Sequence, residues 1–122
     1  MKFRLSEANL KEFVRLLCGS GKRIVAPKAD KERLNFAEIR DPAEIVLDGY
    51  TAMSAKEYLF PRHEPILAYE IDKQGVRMQD VTPKIQETVI LGLRPCDAAA
   101  FSVLDHVFHW DHDDKFYLAR RA

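Results

Sequence analysis

Cysteine is scarce in this chain, with two in 122 residues, Cys18 and Cys96, and that scarcity excludes two classes of protein at once. Two cysteines 78 positions apart are no disulfide framework of a small secreted domain. They also fall short of the four thiolates that an iron–sulfur cluster normally needs. Net charge is missing as well: 19 basic residues balance 19 acidic ones, so no basic excess exists to release counterions from nucleic acid or an anionic membrane. No apolar run approaches the length that spans a bilayer, and the opening Met1-Lys-Phe-Arg-Leu-Ser6 lacks the apolar core of a signal peptide. A cytoplasmic protein without membrane insertion is the expectation. There is no Gly-x-Ser-x-Gly elbow and no phosphate-binding glycine loop, so a stand-alone hydrolase has no support and no catalysis is expected of the chain alone. Repeats, linkers and low-complexity segments are absent too. The length suits one domain, residues 1–122, large enough to bury a core without staples.

What the chain does have is one pointed stretch, Thr88-Val-Ile-Leu-Gly-Leu-Arg-Pro-Cys-Asp97. Its apolar part is too short for a helix and rich in β-branched residues, which predicts a buried strand. Gly92 lets the backbone pass close to a neighbour, and Pro95 turns Arg94 away from the helical region. Beyond Asp97, the apolar residues Phe101, Leu104, Val107 and Phe108 recur at helical spacing, so Asp97 is the predicted N-cap of a helix with one buried face. Cys96 would then sit just before the first turn. Backbone N–H groups, the helix dipole and Arg94 would all favour a thiolate there, the form needed by a nucleophile or a metal ligand. The bland alternative is a small buried residue in a strand-to-helix turn.

Ahead of that stretch, Ser6 and Glu7 open a helix whose buried stripe is Leu10, Phe13, Val14 and Leu17 and whose stop is Gly19 with Gly21. Cys18 lies beside the stripe and reads as structural. Lys22 to Pro27 and Leu34 to Ile39 read as a hairpin. Asp41-Pro-Ala-Glu44 has capping-box form, while Ile45-Val-Leu47 favours a strand, so a short turn and then a strand are expected. Ser54-Ala-Lys-Glu57 is a second capping box closed by Pro61, giving little more than one helical turn; Tyr50, Thr51, Ser54, Lys56 and Tyr58 gather polar and aromatic groups there. From Ile66 to Val81 the alternation is strict around a turn at Gly75. The architecture expected is a single α+β (or α/β) domain, a mixed β-sheet with an N-terminal helix and helices near the C-terminus.

The tail carries His106, His109 and His112 at spacings of three among aspartates. Zinc or nickel is geometrically conceivable, but a frayed helix end in a solvated loop is the expectation, since a metal site also needs supporting partners. Phe116 to Arg121 predicts a last short helix.

Taken together, Tyr50-Thr-Ala-Met-Ser-Ala-Lys-Glu-Tyr-Leu-Phe-Pro61, Gly92-Leu-Arg-Pro-Cys-Asp97, Leu104-Asp-His-Val-Phe108 and Asp114-Lys-Phe-Tyr-Leu-Ala-Arg-Arg121 occur in an order with a known parallel. The chain resembles, over nearly its whole length, the N-terminal part of the iron–sulfur electron-transfer subunits typified by that of anaerobic sulfite reductase and by the sulfhydrogenase beta subunit. Gly-x-Arg-Pro-Cys-Asp is the most specific element, supported by Ser-x-Lys with Phe-Pro behind it. The resemblance implies an electron relay between a flavin- or nicotinamide-linked partner and a catalytic subunit. It also implies Cys96 as one ligand of a 4Fe-4S cluster, with Arg94, Asp97, Ser54 and Lys56 around the cofactor and other subunits of a redox complex as partners. The family's further cysteine groups lie downstream of the Arg-Arg segment, whereas this chain stops at Ala122. An isolated N-terminal domain, a split-gene product or a truncated chain is therefore expected, holding no complete cluster by itself. The alternative is a non-catalytic protein-interaction module in which Cys96 is structural.

Overall fold

Ser6 caps α1 (Glu7–Cys18) in the computed structural model, which describes residues 4–81 and 85–122, and its hydroxyl accepts the Asn9 N–H at 3.3 Å. The predicted stripe is rotated from expectation. Val14 is fully buried and Leu10, Leu17 and Cys18 pack around it, but Phe13 is 46% exposed. Phe13 lies toward one edge of the apolar arc, and the contact of α1 with Ile24, Ala26 and Ile39 is centred on the Leu10, Val14, Leu17 and Cys18 side.

A three-stranded sheet forms the centre, in which the strand from residue 23 lies between the strand from residue 33 and the strand from residue 88. β1 (Arg23–Asp30) and β2 (Arg33–Glu38) are the expected hairpin, while β5 (Thr88–Ile90) runs parallel to β1 with Arg23 opposite Thr88. Alternation along β1 then builds two apolar clusters. Ile24 and Ala26 face α1 with Ile39, and Val25 faces the other way with Phe36, Ala55 and Phe101. The sheet therefore has α1 on one side and α2 (Pro95–Phe108) on the other. β5 follows the same rule, with Val89 and Leu91 toward the α1 side and Ile90 toward α2. Although it is the most apolar run, β5 is an edge strand and only half buried, so the expectation of a buried strand is corrected. Its outer edge has no strand beside it among the described residues.

The Asp41 capping box forms around a single 3-10 turn, Pro42–Glu44, and Ile45 then makes one bridge to Lys28 in place of the expected strand. A second 3-10 turn, Ala55–Tyr58, is capped by Ser54 as expected. α3 (Lys115–Arg121) starts at Asp114, whose carboxylate accepts the Phe116 and Tyr117 N–H groups. Tyr117 is buried, stacks on Phe108 with centroids 4.3 Å apart, and donates its hydroxyl to Asp105 at 2.7 Å, which fixes α3 on α2.

The strict alternation between Ile66 and Val81 produces a hairpin of β3 (Leu67–Asp72) and β4 (Gly75–Asp80) that stands apart from the main sheet. Both strands are exposed throughout. Cross-strand register pairs Tyr69 with Met78 and Ile71 with Val76, so the apolar residues share one face, and that face is not covered by any described residue to the point of burial. The molecule is an α+β domain with a mixed sheet and a separate two-stranded ribbon.

Candidate functional site

The loop from β5 to α2 is shaped by one glycine and one proline. Gly92 adopts φ +73, and a Cβ there would lie 2.9 Å from Cδ of Pro27 and 3.2 Å from Cδ2 of Leu47. Only glycine fits that close approach. Pro95 then occupies the first position of α2, where its fixed φ suits the helix and its missing N–H removes nothing. The N-cap is accordingly Arg94 and not Asp97, a correction of one turn: Pro95 starts the helix, Cys96 is its second residue and Asp97 its third.

Arg94 cannot cap with its side chain, because a guanidinium only donates and the free N–H groups of a helix start need an acceptor. It donates to the Gly49 carbonyl and lies over the Tyr50 ring with Cζ 3.8 Å from the centroid. Cation–π contact and a carbonyl acceptor both suit a guanidinium. Asp97, in the first turn of α2, accepts a hydrogen bond from Ser54 Oγ at 2.9 Å. Ser54 Oγ in turn accepts the Lys56 N–H at 3.5 Å, so one hydroxyl ties the start of a 3-10 turn to the start of α2 across 43 positions of sequence. Ala55, completely buried against Val25, Phe36 and Phe101, locks the same junction from below.

The residues singled out in the sequence are thus brought together unevenly. Arg94, Asp97 and Ser54 share one surface with Tyr50. Lys56 joins through its backbone, and its ammonium enters no ion pair among the described residues. Cys96 is exposed on the first turn of α2, which corrects the reading of a small buried residue there. It does not line the cavity of about 280 Å³ beneath this junction, whose polar lining is Arg94, Asp97 and Thr51 and whose walls include Pro27, Phe36 and Leu47. Cys18 belongs to the α1 side of the sheet, and burial, followed by the carboxylates of Asp41 and Glu44, pushes its thiol above the usual cysteine range. With the sheet between them, the two cysteines belong to different sites.

The histidines of the tail are exposed, and two of them are engaged singly: His106 Nδ1 lies 2.6 Å from the Ser102 carbonyl and His109 Nδ1 2.8 Å from Asp113. Among the described residues no three His, Cys, Asp or Glu side chains are grouped to hold a metal ion.

A larger cleft, about 600 Å³, was not foreseen from the sequence. It lies along the start of β1 and β5, the loop after the second 3-10 turn, and α3, and Arg23, Tyr58, Arg62, His63 and Arg120 line it. Arg23 sits over the Tyr58 ring at 5.3 Å and donates Nε to Thr88 Oγ1 at 3.1 Å. Burial raises the Tyr58 phenol, whose hydroxyl donates to the Phe36 carbonyl at 3.0 Å. Arg120 is paired with Glu64 and also donates to the Leu59 carbonyl at 3.2 Å. These residues come from four separate stretches at no motif spacing, so no local signal in the sequence announces the cleft.

No protein-family model matches the chain, and neither a curated protein nor a solved structure does.

Proposed function

We propose that this chain is the scaffold domain of an iron–sulfur electron-transfer subunit in a sulfite reductase- or hydrogenase-like oxidoreductase complex, presenting Cys96 as one ligand of a 4Fe-4S cluster whose other ligands come from elsewhere. The observation that carries the reading is the Ser54 to Asp97 hydrogen bond. It joins the Ser-x-Lys and Arg-Pro-Cys-Asp stretches in space beside an exposed cysteine. As a complete cluster site this chain does not fit, because Cys96 stands alone on its side of the sheet and four thiolates are the normal requirement. What the chain's own residues can do is narrower. They fix Cys96 in the first turn of α2, two positions after Arg94, whose guanidinium is held at Gly49 and Tyr50. Cations near a thiolate-ligated cluster raise its potential.

A second reading, a protein-interaction module, is favoured by the exposed apolar face of the β3 and β4 ribbon. Anaerobic reconstitution with ferrous iron and sulfide separates the two readings. It should be done on this chain and on the longest natural polypeptide that contains it, and read by iron content and visible absorbance. In the longer polypeptide, Cys96→Ser should remove or destabilise a cluster while Cys18→Ser leaves it intact. A full cluster in the Cys96 variant, or no cluster in any form, would overturn the ligand role and leave the interaction module.

A further inference from the structure

The larger cleft has the makings of a ligand site that the electron-transfer reading does not use. Its volume, about 600 Å³, falls within the range of small-molecule pockets. Three guanidiniums, Arg23, Arg62 and Arg120, line it against one carboxylate, Glu57. They are not equivalent. Arg120 is paired with Glu64, the two side chains being 17% and 21% exposed, so it serves to pin the loop to α3. Arg62 is 3.9 Å from Glu57 and largely exposed. Arg23 is half-buried and makes no ion pair among the described residues.

Arg23 is nonetheless held on two sides. The Tyr58 ring lies under its guanidinium, and Thr88, its direct partner across the parallel strands, takes its Nε. Its two terminal nitrogens have no hydrogen-bond acceptor among the described residues. A guanidinium whose plane is fixed and whose outer edge is open is the arrangement that binds an oxyanion through two parallel hydrogen bonds. The apolar walls, Leu59, Pro61 and Ile90, lie in the same cleft and suit the body of an organic molecule.

We infer that this cleft binds a small organic oxyanion, a phosphate or carboxylate, with its head on Arg23 and its outer charge met by Arg62. The site is independent of Cys96, which does not line the cleft. Isothermal titration of the folded chain with ADP, citrate and adenosine tests it. Saturable binding of one equivalent of ADP, of citrate or of both is expected at millimolar concentration or below, with none of adenosine. The ADP and citrate arms tell a phosphate site from a carboxylate site. Arg23→Gln should weaken binding about tenfold, and Arg23→Lys, which keeps the charge and loses the planar fork, should fall between. Should Arg23→Gln fail to fold by circular dichroism, Arg62→Gln on the exposed loop carries the test and should weaken binding several-fold. Absence of saturable binding to either anion, binding of adenosine as tight as ADP, or binding that a folded Arg23 or Arg62 variant leaves unchanged would overturn the proposal.

Discussion

Replacing Gly92 with alanine probes the loop that sets the candidate site, and its cost can be built from two independent parts. The first is conformational. At φ +73 an L-residue places its Cβ against the following carbonyl, which costs about 1–2 kcal/mol. The second is steric: the new methyl would stand 2.9 Å from Cδ and 3.1 Å from Cγ of Pro27, a buried ring in the central strand, so that the loop or the strand must move. Overpacking of that kind costs about 1–3 kcal/mol, and the sum is about 2–5 kcal/mol. Gly21 supplies the control, since its φ of +78 is nearly the same and nothing lies within 4 Å of its virtual Cβ. Gly21→Ala should show the conformational part alone. The assay is urea unfolding monitored by far-UV circular dichroism, because the single tryptophan, Trp110, is 81% exposed and its fluorescence reports little of the core. Equal losses in the two variants would refute the argument that β1 and the site loop are in obligatory contact at Pro27.

Packing and charge set three further outcomes. Val14→Ala should cost about 2–3 kcal/mol in the same titration, whereas Phe13→Ala, at a half-exposed position, should cost under about 1 kcal/mol. The reverse order would show α1 turned away from the face that Val14 defines. Lys28 donates to Glu44 and, with the Arg40 and Asp41 N–H groups, holds that carboxyl at about 2. A depressed carboxylate adds stability that is complete above its unfolded pKa, about 4.3, and is lost as the pH falls through about 2. Lys28→Met should therefore flatten the decline in urea midpoint over that window, and an unchanged slope would show that Lys28 does not depress the carboxyl. Iodoacetamide should modify Cys96 in the native chain well before Cys18, which is half-buried and has its thiol pushed up by burial. Peptide mass spectrometry showing equal rates would contradict the exposure assigned to Cys96.

Local chemistry made much of this fold legible. Ser6, Asp41 and Ser54 each cap the turn they precede, and the alternation in Lys22 to Ile39 correctly gave a hairpin. Two kinds of miss stand out, neighbours remote in the chain and a local signal that outweighed another. Phe13 looked equivalent to Val14 until the helix met Ile24 and Ala26. Asp97 had the chemistry of an N-cap, but Pro95 is the better first residue, and Asp97 instead meets Ser54. Half of the candidate site was therefore visible as motifs, while the contact that unites it was not. Arg23 lay hidden altogether, because its significance comes from Thr88 and Tyr58, and nothing near it in sequence marks either.

The parallel pairing of β1 with β5 also sets an order of events for the folding chain. β1 can zip to β2 at once, across a two-residue turn, but its other edge stays open until residues 65 positions later arrive. Closing a loop of that length costs roughly 4 kcal/mol of chain entropy before the new strand contributes anything. Arg23 N–H to the Glu87 carbonyl and Leu91 N–H to the Val25 carbonyl are the bonds that seal this edge, whereas Ile39 N–H to Ile24 belongs to the early hairpin side. In pulse-labelled hydrogen exchange during refolding, protection at Arg23 and Leu91 should lag protection at Ile39, and simultaneous protection would refute the sequence of steps. The helix start that carries Arg94, Cys96 and Asp97 follows directly on that late strand. The candidate site is then among the last parts of the domain to exist, and a nascent chain has no such surface to offer any partner until its central sheet is closed.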